Sequence, residues 1–152
     1  MSADVIDTVL GTETATRVAA LRASRPAVIE HTQGVHDALF DGPAGTAFGR
    51  ARLAVIAAHV ATLAESKELA AYYRERAGDT VREQDSDTGL AAALRHAERL
   101  TTAPATSTHA HITELLTAGL SETDIVTVAQ LVGFVNYQVR LLAGLTLIGA
   151  PS

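Results

Sequence analysis

The stretch Gly119-Leu120-Ser121-Glu122-Thr123-Asp124-Ile125 opens a run that stays apolar almost to the end of the chain. It continues through Phe134-Val135-Asn136-Tyr137 to Arg140-Leu141-Leu142-Ala143-Gly144-Leu145. Gly119 can close one helix, and Ser121 with Asp124 three residues on has the form of a capping box for the next. The pattern predicts a helix over 125–148. Its length suits a membrane span, which needs about 20 apolar residues. Gln130, Asn136, Gln138 and Arg140 interrupt it, however, and Arg140 near mid-span would be expensive in lipid. The expectation is therefore a helix buried in a core or shared between subunits.

Upstream of this run the periodicity is helical throughout. Short helices are predicted over 4–10 and 15–23, the second ending before Arg25-Pro26. Pro26 can open a third helix with an apolar stripe of Val28, Ile29, Val35, Leu39 and Phe40. Asp41-Gly42-Pro43-Ala44-Gly45 has loop chemistry. Further helices are expected over 46–63 and 66–76, the latter closed by Gly78. A polar connector over 82–87 leads to a helix over 90–100 that Asp87 or Thr88 can cap, and Pro104 ends it. A helix over 108–118 completes the set. The fold class is all-α, in one domain over 1–152, with N-terminal helices over 1–43 and core helices over 46–148.

Composition agrees with that reading. Hydrophobic residues are 47% and aromatics only 4%, so Ala and Leu, both good helix formers, supply most of the apolar content. A net charge of -5 argues against nucleic acid, whose phosphates demand a basic face. Lys67 is the only lysine among twelve cations, which leaves no polybasic patch for a membrane surface. The acidic start Met1-Ser2-Ala3-Asp4 lacks the cations of a signal peptide, so a cytoplasmic location is expected. There is no cysteine, hence no disulfide, thiolate metal site or thiol nucleophile.

The segment 90–145 resembles the alkylhydroperoxidase D-like, carboxymuconolactone decarboxylase (CMD) superfamily, and in particular its peroxidase-related branch. The resemblance rests on Ala91-Ala92-Ala93-Leu94-Arg95-His96-Ala97-Glu98-Arg99-Leu100, the Gly-Leu-Ser-Glu-Thr-Asp-Ile turn, and an ending in which Phe134, Asn136, Arg140, Gly144 and Leu145 match. Val139 stands where the family has a second Asn. Residues 50–77 fit the preceding helix pair and 1–43 fit loosely, so the resemblance covers about two-thirds of the chain. It implies an alkylhydroperoxidase D-like helical domain that forms homo-oligomers. Peroxidase members use a Glu and a Cys-x-x-Cys-x-x-x-His motif, whose positions fall here at about Leu53, Glu65, Glu68 and Tyr72. All four roles are vacant, and thiol peroxidase chemistry is not available.

Substitutes for that chemistry can be named. Glu65, Glu68 and Tyr72 have the spacing of one helical face, where two carboxylates beside an apolar wall could divide acid and base roles. Simple support of a helix N-terminus explains the carboxylates equally well. His59 shares an apolar stripe with Val55, Ile56 and Leu63, either as a general base or as a core histidine. Asn136 and Arg140 could hold a substrate carboxylate, or Arg140 could pair with an acidic residue of another helix or subunit. His31 with His36, and His109 with His111, lack helical metal-ligand spacing, so no metal and no cofactor is implied. Neither a phosphate-binding glycine loop nor a Gly-x-Ser-x-Gly elbow is present.

Three functions are thus expected in order: a redox-inactive protein that binds a small molecule, an anion among the candidates, or partners a cysteine-bearing relative; an acid/base lyase or isomerase resembling carboxymuconolactone decarboxylase; and peroxide-related oxidoreductase activity.

Overall fold

The computed structural model describes residues 4–152 and contains, among them, eight α-helices, two 3-10 turns and no strand. The helices are α1 (Val5–Ala23), α2 (Pro26–Asp41), α3 (Pro43–Phe48), α4 (Arg50–Leu63), α5 (Lys67–Ala77), α6 (Thr88–Thr102), α7 (His109–Thr117) and α8 (Glu122–Ile148). The all-α expectation holds.

Helix α4 is the centre of the molecule. Leu53, Ala54, Val55, Ile56, Ala57, Ala58, Val60 and Ala61 are all buried, so almost its whole circumference is enclosed. Helices α2, α3, α5, α6 and α8 pack around it. Four alanines make this crowding feasible, because a methyl side chain lets neighbouring helix axes approach closely. Burial on all sides also explains why α4 lacks an amphipathic period.

Several boundaries differ from the sequence reading. The two short N-terminal helices form α1, which is broken at Gly11 (φ 77°, ψ 159°). The break turns the chain back on itself. Arg22 thereby reaches Asp4 at 3.0 Å and also bonds Asp7, residues that a straight helix would hold roughly 25 Å away. The loop expected over 41–45 is largely α3, which Pro43 opens after a single bend at Gly42. Gly45 is required there, since a Cβ would lie 1.9 Å from the Leu39 carbonyl oxygen. In α2 the inward stripe is Thr32, His36, Leu39 and Phe40, whereas Val28 and Val35 point outward.

The capping chemistry is as read. The Asp124 N–H donates to Ser121 Oγ (3.0 Å), and the Ser121 N–H donates to Asp124 Oδ2 (2.9 Å). Helix α8 begins there and buries Ile125, Val128, Leu131, Val132, Phe134, Val135, Leu142 and Leu145 against α1, α2, α3, α4, α6 and α7. It is long and apolar enough to cross a membrane by length and composition. Only 39% of its most apolar stretch is buried, so the helix is a one-sided core element whose other face is open. This packing is compatible with a soluble domain.

Asp87 ties α4 to α6. Its Oδ1 accepts the Leu90 N–H at 2.9 Å, and its carboxylate meets the Arg52 guanidinium, with Nε 3.1 Å from Oδ2. Arg52 in turn lies 4.5 Å from the Phe48 ring centroid and donates to the Phe48 carbonyl. The Leu90 hydrogen bond, followed by the Arg52 charge, holds the Asp87 carboxyl below its ordinary value of 3.8. A carboxyl whose folded pKa is depressed stabilises the fold fully above its unfolded value, and loses that contribution as pH falls through the folded one. Asp87→Ala is expected to cost about 1–2 kcal/mol near neutral pH. In urea denaturation, the gap between the two proteins should narrow as pH falls below 3.8.

Candidate functional site

The turn between α4 and α5 and the first turn of α5 carry one candidate residue each. Three backbone bonds close α4: Ala64 N–H to the Val60 carbonyl, Glu65 N–H to that of Thr62, and Ser66 N–H to that of Ala61. This closure places Glu65 in the left-handed region with φ 61°, the one non-glycine residue among those described with a positive φ. Glycine normally occupies such a position. Glu65 therefore precedes α5, and the expected shared helical face with Glu68 and Tyr72 does not exist. Its side chain is exposed.

Glu68 sits in the first turn of α5, also exposed, where its charge complements the helix dipole. Together with Ser66, Thr14 and Thr146 it lines a cleft of about 170 Å³ walled by Val9, Leu10 and Leu142. Tyr72 lies apart from that cleft. Its ring is covered by the Arg76 guanidinium at 3.3 Å and meets Tyr73 edge-on at 5.2 Å. Desolvation raises its pKa, against the opposing pull of Arg76, so the phenol stays protonated near neutral pH.

His59 faces α6 rather than the turn. Its Nε2 lies 3.4 Å from Glu98 Oε2, and the ring borders a separate cleft of about 180 Å³ with Thr62, Arg74 and Gln84. The four acid/base candidates thus share no cavity.

Asn136 and Arg140 are on the outer side of α8. Asn136 Nδ2 donates to the Val132 carbonyl, and Arg140 to that of Asn136, both within their own helix. Arg140 is exposed within the subunit. The buried polar residues of the helix are Thr127 and Gln138, and Gln138 is fully enclosed, its Oε1 accepting the Tyr73 hydroxyl at 2.6 Å. Burial pushes the Tyr73 pKa up, which keeps that donor protonated. Tyr73 also stacks on Phe40, at 5.6 Å between centroids, and Phe40 on His36, at 4.8 Å. This pair pins α5 to α8. The sequence signal for it was only a glutamine interrupting an apolar run.

A larger groove than either of these clefts lies elsewhere, between α2 and α8. It measures about 620 Å³ and is lined by His31, Thr32, Val35, Ala38, Leu39, Gln130, Gly133, Phe134 and Tyr137. Apart from His31 and Gln130 its polar groups are two hydroxyls, Thr32 Oγ1 and Tyr137 Oη, 3.1 Å apart. Sequence reasoning missed this groove because it read Val35 only as one member of an apolar stripe with Val28, Ile29, Leu39 and Phe40.

No family model matches the chain, and no curated protein matches it.

Because Glu65 holds a conformation that glycine adopts without steric penalty, Glu65→Gly is expected to stabilise the protein by about 1 kcal/mol. Thermal denaturation would then show a midpoint higher by roughly 2–4 °C.

Proposed function

We propose that this chain is a redox-inactive, homo-oligomeric member of the alkylhydroperoxidase D-like superfamily that works by binding, with the α2–α8 groove as its recognition surface. The resemblance of 90–145 to that superfamily supports the ancestry, and the absence of cysteine from the sequence removes its thiol chemistry. One observation carries the binding reading: the α2–α8 groove is a mostly apolar concavity of about 620 Å³ with a hydroxyl pair at its wall, and none of the acid/base candidates lines it. Such a surface suits a ligand with a flat apolar body and one neutral hydrogen-bonding group. The exposed position of Arg140, satisfied by its own helix, gives no support to an anion clamp.

The acid/base reading has one specific observation behind it. Glu65 is held in a strained conformation beside the cleft that Glu68 lines, and strained backbone clusters at functional sites. On that reading Glu68 is the proton-transferring group, and Glu68→Gln would abolish any turnover found for the protein.

The binding reading is tested with 2-naphthol, an aromatic alcohol of this shape, followed by its own fluorescence. Saturable binding is expected, and Thr32→Val and Tyr137→Phe should each weaken it about fivefold, the loss of one hydrogen bond of about 1 kcal/mol. Glu68→Gln should leave it unchanged. Binding insensitive to both groove substitutions would refute the assignment. Catalytic consumption of hydrogen peroxide by the pure protein would refute the redox-inactive part.

A further inference from the structure

The open face of α8 carries a regular pattern. Val126, Gln130, Gly133, Tyr137, Arg140, Gly144 and Leu147 are all exposed and recur at alternating steps of four and three. That is the spacing of a coiled-coil seam. Val126, Tyr137 and Leu147 are 56%, 42% and 78% exposed, unusually high for large apolar residues at the centre of a helix face. At Gly133 and Gly144 a Cβ would meet nothing within 4 Å, so no packing inside the subunit demands glycine there. Glycine in an exposed helix interior costs roughly 1 kcal/mol relative to alanine, with no return within this chain.

The stripe is complementary to itself in one register. Let a second copy of α8 lie antiparallel to the first, with the two-fold axis passing at Val135. Val126 then faces Gly144 of the partner subunit, Tyr137 faces Gly133 of the partner subunit, and Gln130 faces Arg140 of the partner subunit. Every large apolar residue of these layers meets a glycine, and the two polar residues meet each other. Sliding the axis one layer toward the N-terminus sets Gln130 against a glycine and Val126 against Tyr137. Sliding it the other way stacks Gly133 on Gly144 and leaves Gln130 against Leu147. Of these three registers, the one at Val135 alone matches size and polarity in every layer from Val126 to Gly144.

We infer that α8 is the two-fold interface of a homo-oligomer, packed antiparallel against α8 of a second copy, with the partner subunit's Tyr137 seated over Gly133 at the wall of the α2–α8 groove. The partner thereby contributes a side chain to the groove. His31 and Val35 of α2 flank the stripe across the groove and extend the contact. The inference rests on the proposed reading in taking this groove as the working surface.

The native chain has no thiol, so engineered cysteines report contact without background. Val126→Cys and Gly144→Cys proteins are made separately, mixed, and mildly oxidised. A disulfide-linked pair should form in the mixture but not in either protein alone, where like positions lie roughly 27 Å apart along the axis. In equilibrium sedimentation the wild type should have at least twice the 15.9 kDa subunit mass. Gly133→Leu, with open space around the site, should keep its helical circular dichroism and weaken association at least a hundredfold. A wild-type monomer at micromolar concentration overturns the inference, as does one that instead sediments with lipid vesicles. An oligomer that fails to cross-link in the mixture, or resists Gly133→Leu, overturns the register. A monomer that still binds 2-naphthol sinks this inference alone. A cross-linked dimer that does not bind it sinks the binding reading alone.

Discussion

Everything in this fold is arranged around a helix that has almost no solvent face. Consecutive residues from Leu53 to Ala58 on α4 are buried, and only short side chains allow five other helices to reach the backbone of one so closely. The arrangement is secured at its rim by few polar links. Arg52 and Asp87 join α4 to α6, Tyr73 and Gln138 join α5 to α8, and Arg22 with Asp4 and Asp7 closes the N-terminal bend. Each link is polar and wholly or partly buried, so each matters more than an exposed pair would.

An enclosed α4 also disperses the residues that could do chemistry. A wide central helix bundle presents its side chains around a perimeter. His59 therefore looks toward α6, Glu68 toward α1 and the end of α8, and Tyr72 lies beneath Arg76. Acid/base catalysis needs groups within hydrogen-bond reach of a common substrate atom. Here they occupy different clefts. The polar economy of the molecule points instead to the α2–α8 side, where Thr32 and Tyr137 bring two hydroxyls together on a mostly apolar wall.

Helix α8 has two faces with different work. Ile125, Val128, Leu131, Val135 and Leu142 complete the core, while the opposite face is apolar, interrupted by glycine, and open. An amphipathic helix would have shown this division as a polar stripe. Because the outward residues are also Val, Tyr and Leu, the helix reads as apolar all round, and its sequence is equally consistent with a core, an interface and a lipid bilayer.

Helical class and several helix ends were legible from the residues alone. Alanine and leucine content set the helical class, and Asp87, Ser121 with Asp124, Pro26 and Gly78 placed helix ends through caps and fixed torsions. Thiol chemistry was excluded for want of cysteine. These are properties of a few neighbouring residues. Tertiary packing alone reveals that Gly11 reverses α1, that Glu65 is the left-handed end of α4 rather than part of α5, that Val28 and Val35 face out, and that Gln138, not Arg140, is fully enclosed in α8. Each depends on which surfaces meet across the bundle. Helical periodicity shows that a stripe exists, but which stripe is covered follows from the packing of distant segments around α4.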